Sequence, residues 1–88
     1  MLVIDQELRV VDYAQREFQQ ITPQPGWVEH DPEVIFETVK DCLQELNAKH
    51  NLGKHNVRAV GITNQRETTV AFSKKTGKPY HNALVWLD

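Results

Sequence analysis

Arg66 and Glu67 stand next to each other in the run Gly61-Ile-Thr-Asn-Gln-Arg-Glu-Thr-Thr-Val-Ala-Phe72, at a point where one apolar stretch gives way to another. A guanidinium offers N–H donors in a planar fork and no acceptor, whereas a carboxylate only accepts. Side by side at the end of a strand, the two could bind a polyhydroxy ligand, because every hydroxyl both donates and accepts. An Arg-Glu dipeptide by itself is most often a solvated or mutually paired surface couple of little energetic weight. Asn64, Gln65, Thr68 and Thr69 flank the pair. Their short polar side chains suit holding a strand end and serving a sheet.

The other reactive residue types suggest no second chemistry. His30, His50, His55 and His81 have no ligand-like spacing to one another or to Cys42, so a transition-metal site is not expected, and each histidine reads as loop or surface. Cys42, the single cysteine, falls among helix-patterned apolar residues and is expected to pack rather than react. Thr76-Gly77-Lys78-Pro79 follows a strand but leads into proline and another extended run. A phosphate loop needs backbone donors at a helix N-terminus, so this segment does not read as one.

The elements that must position Arg66 and Glu67 follow from periodicity. Val57, Ala59, Val60 and Ile62 suggest a buried strand before the pair. Thr68 to Phe72 suggests a second strand, closed by a hairpin-like connection over Ser73-Lys-Lys-Thr-Gly77. Earlier, Met1-Leu-Val-Ile4 and the apolar-rich run Leu8 to Tyr13 frame a polar turn, Asp5-Gln-Glu7, and so form a hairpin. Thr22-Pro-Gln-Pro-Gly26 breaks regular structure, and Trp27 after it is expected to lie over the loop as an aromatic lid. Asp31-Pro32 starts a helix that should run to about His50 and stop at Asn51-Leu-Gly53. Two overlapping apolar stripes on it, Ile35-Val39-Cys42-Leu46 and Phe36-Val39-Leu43-Leu46, should face a core. Ala83-Leu-Val-Trp-Leu87 reads as a last buried strand.

Composition limits what the chain can be. Its 88 residues allow one small domain, and 40% hydrophobic with 25% charged residues is ordinary for a globular protein. A formal net charge of -2 and the lack of a basic run argue against a nucleic-acid partner. One cysteine rules out an intramolecular disulfide and suits a reducing compartment. No apolar run is long enough to span a bilayer, and Asp5 and Glu7 follow Met1-Leu-Val-Ile4 too closely for a signal peptide, so a cytoplasmic location is expected.

Gly61-Ile-Thr-Asn-Gln-Arg-Glu-Thr-Thr69, with Gly77-Lys-Pro79 and Asn82-Ala-Leu-Val-Trp86 after it and Pro25-Gly-Trp-Val-Glu-His-Asp-Pro32 before it, resembles the glycerol-kinase branch of the sugar-kinase family. The likeness runs through essentially all 88 residues. It implies an α/β fold class: a partial ribonuclease-H-like domain of the actin/hexokinase type, with a mixed β-sheet and one main helix. It further implies that residues 1–88 are a partial N-terminal domain, incomplete at both ends. The full-length enzyme would transfer the ATP γ-phosphate to glycerol, giving glycerol 3-phosphate.

By the same resemblance, Arg66 and Glu67 match positions that hold glycerol hydroxyls, and Trp86 matches the apolar wall against its carbon backbone. Taken alone, Trp86 reads as strand core. ATP and Mg2+ are implied for the full-length enzyme, which is expected to be a homo-oligomer, but for no residue of this chain. The family's phosphate cradle would precede Met1 and its catalytic aspartate would follow Asp88. The isolated chain is therefore expected to be inactive and, with an unpaired sheet edge, marginally stable. Two alternatives stay open: a fragment of a related pentose or polyol kinase, and a non-catalytic binding or regulatory remnant.

Overall fold

The computed structural model describes residues 1–85. Two compact units make up the chain: Met1–Glu17 with Glu37–Ile62, and Phe18–Phe36 with the segment from Thr63 onward. Five elements occur in the order β1 (Leu2–Ile4), β2 (Val10–Tyr13), β3 (Val28–His30), α1 (Pro32–His50) and β4 (Ala83–Val85). The α/β class with one main helix holds. The single mixed sheet expected from the resemblance does not: β1 pairs with β2 and β3 with β4, in two separate two-stranded antiparallel sheets.

The first unit is built around the hairpin and the later turns of the helix. The Asp5 carboxylate organises the turn, accepting the backbone N–H groups of Glu7 and Arg9 and the Arg9 Nε–H, each at 2.9 Å. The Arg9 backbone donor is the main reason the Asp5 carboxyl lies below its ordinary range. The chain's terminal ammonium donates to the Ala14 carbonyl at 2.8 Å and closes the open end of the hairpin. Ala14, Cys42 and Leu46 form the buried cluster, with Val3 and Leu52 packed against it, and Leu46 is 0% exposed. Polar ties hold its rim. Arg16 donates to Glu45 at 2.6 Å, and the His50 ring meets Asp12 Oδ2 at 2.8 Å. The guanidinium lowers the Glu45 carboxyl and is itself raised by it, and the imidazole contact does most to lower Asp12.

The helix begins and ends as its sequence dictates. Asp31 Oδ1 accepts the Glu33 N–H at 3.0 Å, Pro32 occupies the first helical position, and Asn51 takes the left-handed conformation (φ 50°) that stops the helix. Of the two expected apolar stripes, Cys42 and Leu46 are buried and Ile35 is half-buried, while Phe36, Val39 and Leu43 stay exposed.

In the second unit, Ile21, Glu29, Leu84 and Thr69 form one row of paired residues across β3 and β4. Phe72 bridges Pro79, and the Ser73–Lys78 turn closes between them through Gly77 N–H to Ser73 O at 2.7 Å, as the hairpin reading required. Three expectations are corrected here. Residues 57–62 are not a buried strand: they have no ladder partner among the described residues, and Val60 and Ile62 are 79% and 92% exposed. A strand exists only where a neighbour takes up its N–H and C=O groups, and apolar content alone does not supply one. Residues 68–72 make isolated bridges at Thr69 and Phe72 instead of a continuous strand. Trp27 is 54% exposed, more open than a lid pinned onto the domain would be.

Candidate functional site

Val28, Glu29 and His30 are buried along the whole of β3, although two of the three are ionisable. Burying such groups is costly unless they are bonded, and most of these polar atoms are. Glu29, 4% exposed, accepts from Asn82 Nδ2 at 3.1 Å, with His81 Nε2 4.0 Å from its other oxygen. His30, 5% exposed, meets the edge of Phe18 at a centroid distance of 4.8 Å and an interplanar angle of 84°. Its Nδ1 lies 3.2 Å from Gln65 Nε2. Its Nε2 is buried with no partner among the described residues, a state that costs roughly 1–3 kcal/mol.

Gln65 links this buried strand to the segment that holds Arg66 and Glu67. Its amide nitrogen also donates to Thr68 Oγ1 at 2.8 Å, and that hydroxyl reaches the Arg66 carbonyl at 3.4 Å. The donor sequence is self-consistent. One Gln65 N–H serves the imidazole, the other serves Thr68, and the Thr68 O–H serves Arg66 O. With Gln65 as the donor, Nδ1 is the acceptor of this contact.

Arg66 and Glu67 form an exposed turn, and among the described residues neither side chain has a hydrogen-bond or ion-pair partner. They are not the mutually paired couple that such dipeptides usually make. Glu67 lies in the left-handed region at φ 56°, where a residue with a Cβ is strained, and residues so held concentrate at functional sites. Thr69 then bonds Leu84 in both directions, N–H to O at 3.0 Å and 2.8 Å, and anchors the turn to β4. Trp86, the third residue expected at the site, lies outside the described residues.

The FGGY family of carbohydrate kinases, N-terminal domain, matches residues 1–88. The chain belongs to this FGGY family. It is 49% identical over 85 residues to glycerol kinases of Escherichia coli O139:H28 (strain E24377A / ETEC), Shigella boydii serotype 18 (strain CDC 3083-94 / BS512) and Escherichia fergusonii. Each alignment takes in 97% of this chain and 17% of the relative, so the FGGY chain spans a small part of the length of the kinases it matches.

Sequence reading placed Arg66 and Glu67 where one strand gives way to another, with Gln65 at the strand end and Thr69 in the sheet; the structure puts the pair in an exposed turn, with no ladder before it among the described residues and an isolated bridge at Thr69 after it. It missed His30, which is a buried member of β3 and neither loop nor surface. Val-Glu-His has too little apolar content to announce a strand, and only its pairing with Ile21 and Ala83–Val85 makes it one. The remaining histidines keep to turns, rims or the helix end.

Among the described residues, no three His, Cys, Asp or Glu side chains converge as a metal site. In the Thr76-Gly77-Lys78 turn the backbone donors are already used: Gly77 N–H by Ser73 O, Lys78 N–H by Thr76 Oγ1 and Thr76 N–H by Ser73 Oγ. That turn does not fit a phosphate.

Proposed function

We propose that this chain supplies part of the glycerol site of an ATP-dependent glycerol kinase. Arg66 donates to the hydroxyls, Glu67 accepts from them, and Trp86 covers the carbon face. The observation that carries the reading is the Arg66–Glu67 turn: a cation and an anion next to each other in the chain, neither with a side-chain partner among the described residues, and Glu67 held in a left-handed conformation. Similarity to glycerol kinases through 97% of the chain supports glycerol over other acceptors. In the whole kinase the γ-phosphate of ATP would pass to glycerol, with the nucleotide and Mg2+ held by residues other than those described here. A ribonuclease-H-like fold, a cytoplasmic location and a homo-oligomeric enzyme belong to the same reading. No helix among the described residues is long and apolar enough to cross a membrane.

Calorimetric titration of the chain with glycerol, and separately with Mg-ATP, tests the proposal. Heat with glycerol that disappears in Arg66→Ala, with none from Mg-ATP, is the expected result. A pentose binding as well as glycerol would favour the related sugar kinase instead. Glycerol heat that survives loss of Arg66 would reject the site.

A further inference from the structure

We propose that His30 is a positioning residue for the Arg66–Glu67 turn, acting through Gln65 and Thr68. The inference deepens the glycerol-site reading and rests on it for the identity of the ligand, though not for the shape of the turn. His30 is fixed on two sides. The edge of Phe18 meets the ring at 4.8 Å, and β3 is paired by Ile21 on one flank and β4 on the other. From that fixed ring an unbroken series runs outward: Nδ1 to Gln65 Nε2 at 3.2 Å, Gln65 Nε2 to Thr68 Oγ1 at 2.8 Å, and Thr68 Oγ1 to Arg66 O at 3.4 Å. The last link grips the carbonyl of the residue just before the strained one, Glu67 at φ 56°. This turn is fastened on one side to a buried imidazole and on the other to Leu84, and both ties favour the left-handed backbone at Glu67.

The residue type fits this role better than it fits packing. Where β3 needs bulk against Phe18, phenylalanine or leucine would serve without leaving Nε2 buried and without a partner among the described residues. What histidine supplies that they lack is a rigid acceptor at Nδ1. Asparagine offers an oxygen at about the same distance from the backbone as Nδ1, so it is the conservative replacement, and phenylalanine is the disruptive one.

The test uses the isotope-labelled 88-residue chain and its His30→Phe, His30→Asn and Thr68→Val variants, with glycerol as the probe. Two quantities are read by NMR: the strong intraresidue amide–Hα cross-peak that marks positive φ at Glu67, and the glycerol dependence of the Arg66 and Glu67 amide shifts. His30→Phe is expected to fold and melt at least as high as the parent, lose the Glu67 signature and weaken glycerol about tenfold, as expected when one bond of a positioned set is lost. Thr68→Val should behave the same way, and His30→Asn should restore both readouts to within about threefold in affinity, since its oxygen keeps the acceptor. A merely structural role predicts the opposite ordering, with asparagine the worse-folded variant and phenylalanine silent. A Glu67 signature that survives in His30→Phe overturns the proposal, as does its absence from the parent chain. A parent chain with the signature but no glycerol response leaves the positioning intact and rejects the glycerol reading instead.

Discussion

Replacing Glu67 by glycine should stabilise this chain while abolishing its glycerol response. Glu67 is exposed, its side chain has no hydrogen-bond or ion-pair partner among the described residues, and its backbone is at φ 56°. For a residue with a Cβ this conformation costs roughly 1–2 kcal/mol. Glycine removes that cost but gives back roughly 0.5–1 kcal/mol through the greater freedom of its unfolded chain. The difference is about 0–1.5 kcal/mol in favour of Glu67→Gly. For a domain of this size, its midpoint is a rise of about 3–6 °C in melting temperature. At a position with ordinary negative φ the same substitution lowers stability, so the sign alone decides. Thermal and urea unfolding followed by circular dichroism give the stability, and calorimetry with glycerol gives the binding. A variant that melts below the parent refutes the claim that the turn is strained, and one that still binds glycerol refutes the role of the carboxylate.

Arg66→Lys should weaken glycerol by about tenfold with no change in melting, because an ammonium cannot present the planar fork of donors; equal affinity in a titration would sink the assignment. Leu46→Ala should cost about 3 kcal/mol, since Leu46 is 0% exposed at the centre of the cluster with Ala14 and Cys42, and the urea midpoint of the helical signal would show it. Acid should destabilise the chain in a defined window. The Asp5, Asp12 and Glu45 carboxyls are all lowered in the folded state, so their contribution is complete above their unfolded values near about pH 4 and drains away as pH falls below them through the folded ones. Asp12→Asn, which removes the carboxylate partnered by His50, should flatten part of that slope; superimposable pH profiles of midpoint would contradict it.

What could be read from the residues is what local rules decide. Asp31, Pro32 and Asn51 set the limits of α1 through capping and left-handed tolerance, and these act within a turn of chain. The Asp5 turn and the Ser73–Lys78 turn are local in the same sense, and both form as expected. Long-range pairing was not legible. Val57, Val60 and Ile62 have the apolar content of a buried strand and no ladder partner among the described residues, whereas Val28-Glu29-His30 lacks the pattern and is buried because β4 and Ile21 flank it. At the candidate site the same division holds. Arg66 and Glu67 could be named from their types and neighbours, but the tie from His30 through Gln65 joins residues 35 apart in sequence, and nothing near either of them announces it.

Cys42 turns the buried cluster into a reporter. It is the chain's only thiol and is 6% exposed against Leu46 and Ala14. A thiol so enclosed reacts with an alkylating reagent only when the cluster opens. The alkylation rate, divided by that of the unfolded chain, therefore gives the opening equilibrium of the cluster that Ala14, Cys42 and Leu46 form, and no label need be introduced.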